Sequence, residues 1–206
     1  QNYNGSRERQ MATLAFAKSE INDVSYVAES VKNVGFDFSI NIPTLPVTNQ
    51  ERTGRCWLFS ATNVLRERIA RTLNVDNFEI SQSYLAFWDK FERANYFLEN
   101  IMATADLPTD DRNVSFILST GVHDGGQWEM FANIVRKYGI VPKSVFGESY
   151  QSSHSQGVNR YLNQALKKEA AVLRNMIHEG ASEEQLQAEK NSMLDKAYSF
   201  LCSCYN

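Results

Sequence analysis

The stretch Gln50-Glu51-Arg52-Thr53-Gly54-Arg55-Cys56-Trp57 sets a cysteine just after a glycine-containing turn, where an apolar periodicity begins. A helix N-terminus carries unpaired N–H groups and about half a positive charge. Both favour a thiolate over a thiol, and the thiolate is the form that attacks an acyl carbon. Arg52 and Arg55 would add to that field if their side chains face the sulfur. Gln50 precedes Cys56 by six residues. A turn between them would bring its carboxamide N–H beside the backbone N–H of Cys56. Two donors aimed at one point stabilise the oxyanion of a tetrahedral intermediate, by about 3 kcal/mol each. Cys56 then reads as nucleophile and Gln50 as electrophilic stabiliser. Taken alone, a cysteine beside Trp57 and Leu58 is more simply a small core hydrophobe. The glutamine, the turn and the tryptophan together favour the nucleophile.

The elements that must position these groups are mostly helical. Trp57, Ala61, Val64, Leu65 and Ile69 recur three and four apart, predicting a helix from Cys56 to Leu73 with that stripe against a core. Ser6 caps a helix over Ser6–Phe16, and Ser81 caps one carrying Tyr84, Leu85, Trp88, Phe91, Leu98 and Ile101. A short helix spans Val114–Leu118. Another, with Trp128, Phe131, Ile134 and Tyr138, stops at Gly139. Two amphipathic helices, 158–177 and 183–204, are separated by Gly180, with a capping box at Ser182-Glu183-Glu184-Gln185. Phe36, Phe38, Ile40 and Ile42 alternate with polar residues, the period of a half-buried strand that Pro43 ends. The expected class is α+β and predominantly helical. Residues 1–55 form an N-terminal approach segment and 56–206 a helical domain. The apolar stripe of the last helix runs on through Ala197, Phe200, Leu201 and Cys204 almost to Asn206, so more polypeptide is expected to follow.

Composition narrows the function classes. Of 206 residues, 43% are hydrophobic and 22% charged, which excludes intrinsic disorder. A formal net charge of -3 argues against a nucleic-acid binder driven by bulk charge. No apolar run is long enough to span a membrane, and Gln1 to Gln10 is polar, without the apolar core of a signal peptide. Three cysteines are too few for a disulfide framework, so a reduced, cytoplasmic protein is expected. Cys202 and Cys204 read as packing residues; two sulfurs one residue apart do not make a four-ligand metal site.

Gln50, Gly54-Arg55-Cys56-Trp57, Phe59 and Ser60 together resemble the nucleophile motif of papain-like cysteine peptidases. Asn49-Gln50, Gly54 to Phe59 and Ser81-Gln82-Ser83-Tyr84-Leu85 are similar to the bleomycin hydrolase and aminopeptidase C branch in particular. Asp124-Gly125-Gly126-Gln127-Trp128 and Tyr138 to Ser144 extend the likeness in the same order, so that it covers nearly the whole chain. The resemblance implies the helical half of a papain-like fold. The β-barrel half, which carries the catalytic histidine and its orienting asparagine, would lie on polypeptide absent from this sequence. It further implies a cysteine aminopeptidase acting on peptide substrates through an acyl-thioester, with no metal or organic cofactor, as a cytoplasmic homohexamer. Gly125 and Gly126 correspond to the glycine pair that meets the substrate's main chain, with Trp57 beside it. Glycine suits that role because a missing Cβ lets another backbone approach.

A papain-like thiolate needs a histidine to form its ion pair and protonate the leaving amine. His123, His154 and His178 are the histidines here, and none stands in a context resembling the family's histidine motif. His123 reads as a loop residue, and His154 and His178 as solvated ones. Two further readings stay open: a non-catalytic helical fragment or degenerate relative serving only in assembly or binding, and an endopeptidase with an open cleft.

Overall fold

Several helix boundaries fall where the sequence supplies capping chemistry. The computed structural model describes residues 6–32, 35 and 37–205. The chain divides into two compact units, Gln1–Pro43 and Thr44–Asn206. In the first, α1 (Arg7–Phe16) opens on Ser6, whose hydroxyl accepts from the Arg9 amide at 3.2 Å. α2 (Ile21–Ser25) and α3 (Ala28–Lys32) follow. None of the three buries a residue, and Met11, Leu14 and Phe16 are all exposed.

The alternation read as a strand over Phe36–Ile42 does not form one. Phe36 lies outside the described residues, and 37–42 carry no regular structure, with Phe38, Ile40 and Ile42 exposed. A strand needs a neighbour to satisfy its backbone donors and acceptors. Among the described residues the β-type pairing is a single isolated bridge between Ile80 and Pro142.

The second unit is built from six helices. α4 (Cys56–Leu73) ends on Asn74, which takes the left-handed conformation at φ 51°. α5 (Gln82–Ala103) is capped by Ser81, whose hydroxyl accepts from the Tyr84 amide at 3.0 Å. In α6 (Arg112–Thr120) the Asp111 carboxylate accepts from the Asn113 amide at 2.8 Å. α7 (Trp128–Tyr138) stops at Gly139, where φ is 76°. α8 (Ser155–His178) and α9 (Glu183–Tyr205) follow. The predicted capping box forms: the Ser182 amide donates to the Gln185 side chain at 2.9 Å, and the Gln185 amide to the Ser182 hydroxyl at 3.3 Å.

α5 is the axis of the core. Leu85, Ala86, Ala94, Phe97, Leu98 and Ile101 are buried on it, packed against Val158, Leu162, Leu166 and Leu173 of α8 and Met193 and Leu201 of α9. Each Leu, Ile, Val, Met or Phe among them contributes about 1.5–3 kcal/mol on leaving water. α4 and α7 lie on α5 as well, so the residue that opens α4 is held by a rigid frame.

Two local expectations are corrected. Val64 was placed on the buried stripe of α4 and is 69% exposed. The inward face runs instead through Leu58, Ala61, Thr62, Arg66 and Ala70. Thr62 is tolerated there because its hydroxyl donates to the Leu58 carbonyl at 2.8 Å and accepts from the Gln82 side chain at 3.2 Å. The Arg66 guanidinium donates to the carbonyls of Leu45 and Pro46. The second correction is at α8, which begins at Ser155 rather than 158 and takes in Gly157, because Ser155 is anchored from outside the helix, as described next.

Candidate active site

Cys56 is the first residue of α4 and its thiol is exposed. Arg55 holds the cap position and makes no side-chain capping bond, so no side chain occupies the donors of the first turn. The Arg55 side chain is turned inward instead and is 4% exposed. It donates to both carboxylate oxygens of Glu148, at 3.0 and 3.1 Å, and to the Thr53 hydroxyl at 3.0 Å, and lies over the Phe59 ring. Its charge belongs to Glu148, not to the sulfur, which corrects the conditional reading above. Glu148 is fixed in turn by the Ser152 hydroxyl at 2.5 Å.

The approach to Cys56 is tightly folded. The Asn49 side chain accepts from the Glu51 amide at 2.9 Å and donates to the Glu51 carboxylate at 2.9 Å. Glu51 sits at φ 55°. For a residue with a Cβ that conformation costs about 1–2 kcal/mol, which these bonds offset. Gln50 lies within this turn, its carbonyl accepting from the Thr53 hydroxyl at 2.6 Å and from Arg55 at 3.5 Å. Its side-chain oxygen Oε1 is buried and has no partner.

The loop between α6 and α7 abuts this turn. The Gly125 amide donates to the Gly54 carbonyl at 3.0 Å, and the Gly54 amide donates to the Asp124 carboxylate at 3.2 Å. Gly126 lies on the indole of Trp57, where a Cβ would come within 2.6 Å of the ring. Gly125 adopts φ 87°. The structure thus brings Gly54, Cys56, Trp57, Gly125 and Gly126 into one neighbourhood. It gives Gly126 a reason the sequence did not suggest, since the tryptophan fills the space a side chain would need.

Beneath the loop lies a charge network that sequence reasoning missed. Asp124 Oδ1 accepts from Lys90 Nζ at 2.6 Å and from Asn159 at 3.1 Å, while Oδ2 accepts from the Ser155 hydroxyl at 2.6 Å. Burial alone would push this carboxyl up. The Lys90 ammonium and the bonds from Lys90, Ser155 and Asn159 outweigh it and hold Asp124 well below the usual carboxylate range. Lys90 also donates to the His123 carbonyl at 3.1 Å. Arg93 grips both oxygens of Asp89 at 2.9 Å and donates to the Gly125 carbonyl. The one legible signal was an Asp89-Lys90 pair set between the apolar run Leu85–Trp88 and Phe91 of this helix.

His123 is an exposed loop residue, as expected. Its Nε2 contacts Arg93 at 3.1 Å and its Nδ1 the Gly121 carbonyl at 3.3 Å. A guanidinium only donates and a carbonyl only accepts, which assigns the proton to Nδ1 and leaves Nε2 occupied by Arg93. His154 is half-buried, stacked on the Tyr150 ring at 4.2 Å. The His178 ring contacts the Ala105 carbonyl at 2.9 Å. A cavity of about 980 Å³ opens between α5, α6 and α7, with Arg93, Phe97, Phe116, His123 and Ile134 among its lining residues. Neither Cys56 nor the glycine pair lines it.

The sequence model of the Peptidase C1-like family matches residues 1–206. The chain belongs to the Peptidase C1-like family. It is 46% identical over 166 residues to aminopeptidase C of Lactobacillus delbrueckii subsp. lactis, covering 81% of this chain and 37% of that relative. It is 43% identical over 161 residues to human bleomycin hydrolase, covering 77% of this chain and 35% of the relative. The crystal structure of PepW from Lactobacillus rhamnosis HN001 superposes with a TM-score of 0.92 at 40% identity, over 98% of this chain and 46% of that one. The match therefore spans little more than a third of the length of these two curated relatives. What it contains is the helical part of a Peptidase C1-like fold, with Cys56 at the head of α4.

Proposed function

We propose that this chain supplies the nucleophile-bearing half of a cysteine aminopeptidase that releases N-terminal residues from peptides. The observation that carries the reading is the seam between the Cys56 turn and the Gly125–Gly126 loop. There an exposed thiol stands beside backbone that can meet an extended peptide. Cys56 Sγ attacks the scissile carbonyl carbon. The negative charge that develops on oxygen is taken by the Cys56 amide and the Gln50 carboxamide. Gly125 and Gly126 pair with the substrate's main chain, with Trp57 as their floor.

Collapse of the intermediate breaks the C–N bond, and the leaving amine takes a proton from an imidazolium supplied by the rest of the longer protein. Water then hydrolyses the thioester and restores the thiol. The histidine and its asparagine belong to that further polypeptide. His123 does not fill the role, because its Nε2 is engaged by Arg93. The name aminopeptidase C supports an exopeptidase acting at a free amino end, and the name bleomycin hydrolase supports hydrolysis. We extend the reading to a cytoplasmic homohexamer, to be tested by sedimentation of the full-length protein. Among the described residues no helix is long and apolar enough to cross a membrane.

The decisive experiment compares peptides with free and blocked amino ends, using the full-length protein and its Cys56→Ala variant. Cleavage of the free form only, abolished in the variant, is the expected result. Equal cleavage of both forms would favour the open endopeptidase. Hydrolysis that survives loss of the thiol would leave the chain a non-catalytic module.

A further inference from the structure

We propose that Asp124 is a positioning residue that sets the spacing between the turn carrying Cys56 and the Gly125–Gly126 segment, a role that rests on the peptidase reading above. Its carboxylate gathers donors from three elements. The Gly54 amide comes from the nucleophile turn at 3.2 Å, Lys90 from α5 at 2.6 Å, and Ser155 and Asn159 from α8 at 2.6 and 3.1 Å.

The bond to Gly54 does not stand alone. The Gly125 amide returns a bond of 3.0 Å to the Gly54 carbonyl, so two bonds of opposite direction close a ring between the turn and the loop. Two bonds fix an orientation, whereas one leaves a hinge. The close fit is possible because Gly54 has no side chain: a Cβ there would lie 2.5 Å from Cβ of Asp124. Lys90 holds the other side by donating to the His123 carbonyl at 3.1 Å while pairing with Asp124. Lys90 is 3% exposed, so solvent does not compete for this grip. Asp124 is also the residue directly before Gly125, and any shift of its carboxylate is passed to the glycine pair through one peptide unit. Asp124 touches no reacting atom on this account. It acts through Gly54 and Gly125.

The test compares two reactions of Cys56 in the full-length protein. Hydrolysis of a free-amino peptide needs the glycine loop in register, whereas alkylation by iodoacetamide needs only the thiol. The Lys90→Met/Asp124→Leu double variant replaces the ion pair by apolar groups and removes both charges together, so that neither is left buried and unpaired. Its kcat/KM should fall about 100-fold, the usual cost of misplacing a substrate by an ångström. Alkylation of Cys56 should stay within about threefold of wild type. Amide exchange at Gly125 should accelerate by about tenfold or more. Hydrolysis within about twofold of wild type in the folded variant overturns the proposal. So does a parallel fall in hydrolysis and alkylation.

If the double variant fails to fold, Ser155→Ala removes a single donor. It should lower hydrolysis by roughly fivefold with alkylation unchanged, and no change in hydrolysis or in Gly125 exchange again overturns the proposal. A wild-type protein that does not hydrolyse peptides would sink the peptidase reading, and Gly125 exchange in the variants then decides the positioning role by itself.

Discussion

Gly126 rests on the face of Trp57 so closely that a side chain there would lie 2.6 Å from Cε2 of the indole. The first prediction follows directly. In Gly126→Ala either the ring or the loop must move, and the ring belongs to a residue packed against the core. Overpacking of this kind costs about 1–3 kcal/mol, so the melting temperature should drop by several degrees. The KM for peptides should rise as the loop is displaced. An unchanged melting temperature with unchanged KM would show that the loop yields freely.

Acid stability should depend on Asp124. Its folded value lies below the ordinary one of about 3.9. As pH falls past that ordinary value, the unfolded chain takes up a proton that the folded carboxylate refuses. The stabilisation is therefore complete above about pH 4 and disappears as pH drops toward the depressed folded value. Asp124→Asn should have a flatter dependence of unfolding free energy on pH below 4. At neutral pH it should be less stable by about 3 kcal/mol, because Lys90 is left buried and unpaired. Urea titrations from pH 2.5 to 7 read both effects.

The three thiols should separate by accessibility. Cys56 is exposed and Cys204 is buried, and burial pushes the Cys204 thiol up. Under native conditions iodoacetamide should label Cys56 first, and Cys204 only after unfolding. Peptide mapping of the labelled protein checks the order; Cys204 reacting as fast as Cys56 would contradict it.

Arg55→Met should unfold the nucleophile turn more than its neighbours in sequence suggest. The guanidinium is 4% exposed and pairs with Glu148 at 3.0 Å. Removing one partner of such a pair costs about 3–5 kcal/mol. Arg55→Lys should recover only part of this, since lysine cannot bridge both carboxylate oxygens. Denaturant midpoints of the two variants give the comparison.

Much of the fold could be read from the sequence because its signals are local. Ser6, Ser81, Gly139 and the Ser182–Gln185 box are capping chemistry, and each marks a helix end in the structure. The alternation over Phe36–Ile42 misled because a strand depends on a partner that a two-residue period does not supply. Val64 falls outside the buried face because Thr62 and Arg66 look polar in sequence yet are buried, Thr62 bonded to the Leu58 carbonyl and the Arg66 guanidinium to the carbonyls of Leu45 and Pro46, which rotates α4 away from its apparent apolar stripe. The site divides in the same way. Cys56 and the glycine pair were visible as short motifs. The Asp124, Lys90, Ser155 and Asn159 cluster was not, because its members are up to 69 residues apart and nothing local joins them. Arg55 shows the limit of proximity: it adjoins Cys56 in the chain and spends its charge on a residue 93 positions away.

The contact between Gly54 and the loop joins one main-chain bond to one half-buried carboxylate, and it has a practical consequence for redesign. A floor made of peptide groups, a glycine pressed on an indole and a sunken ion pair tolerates little exchange, so its contour should stay constant while the surrounding surface drifts. Changing which peptides are accepted would therefore fall to exposed neighbours such as Gln127 and Trp128, the latter 59% exposed, where new shapes can be introduced without unseating the sulfur.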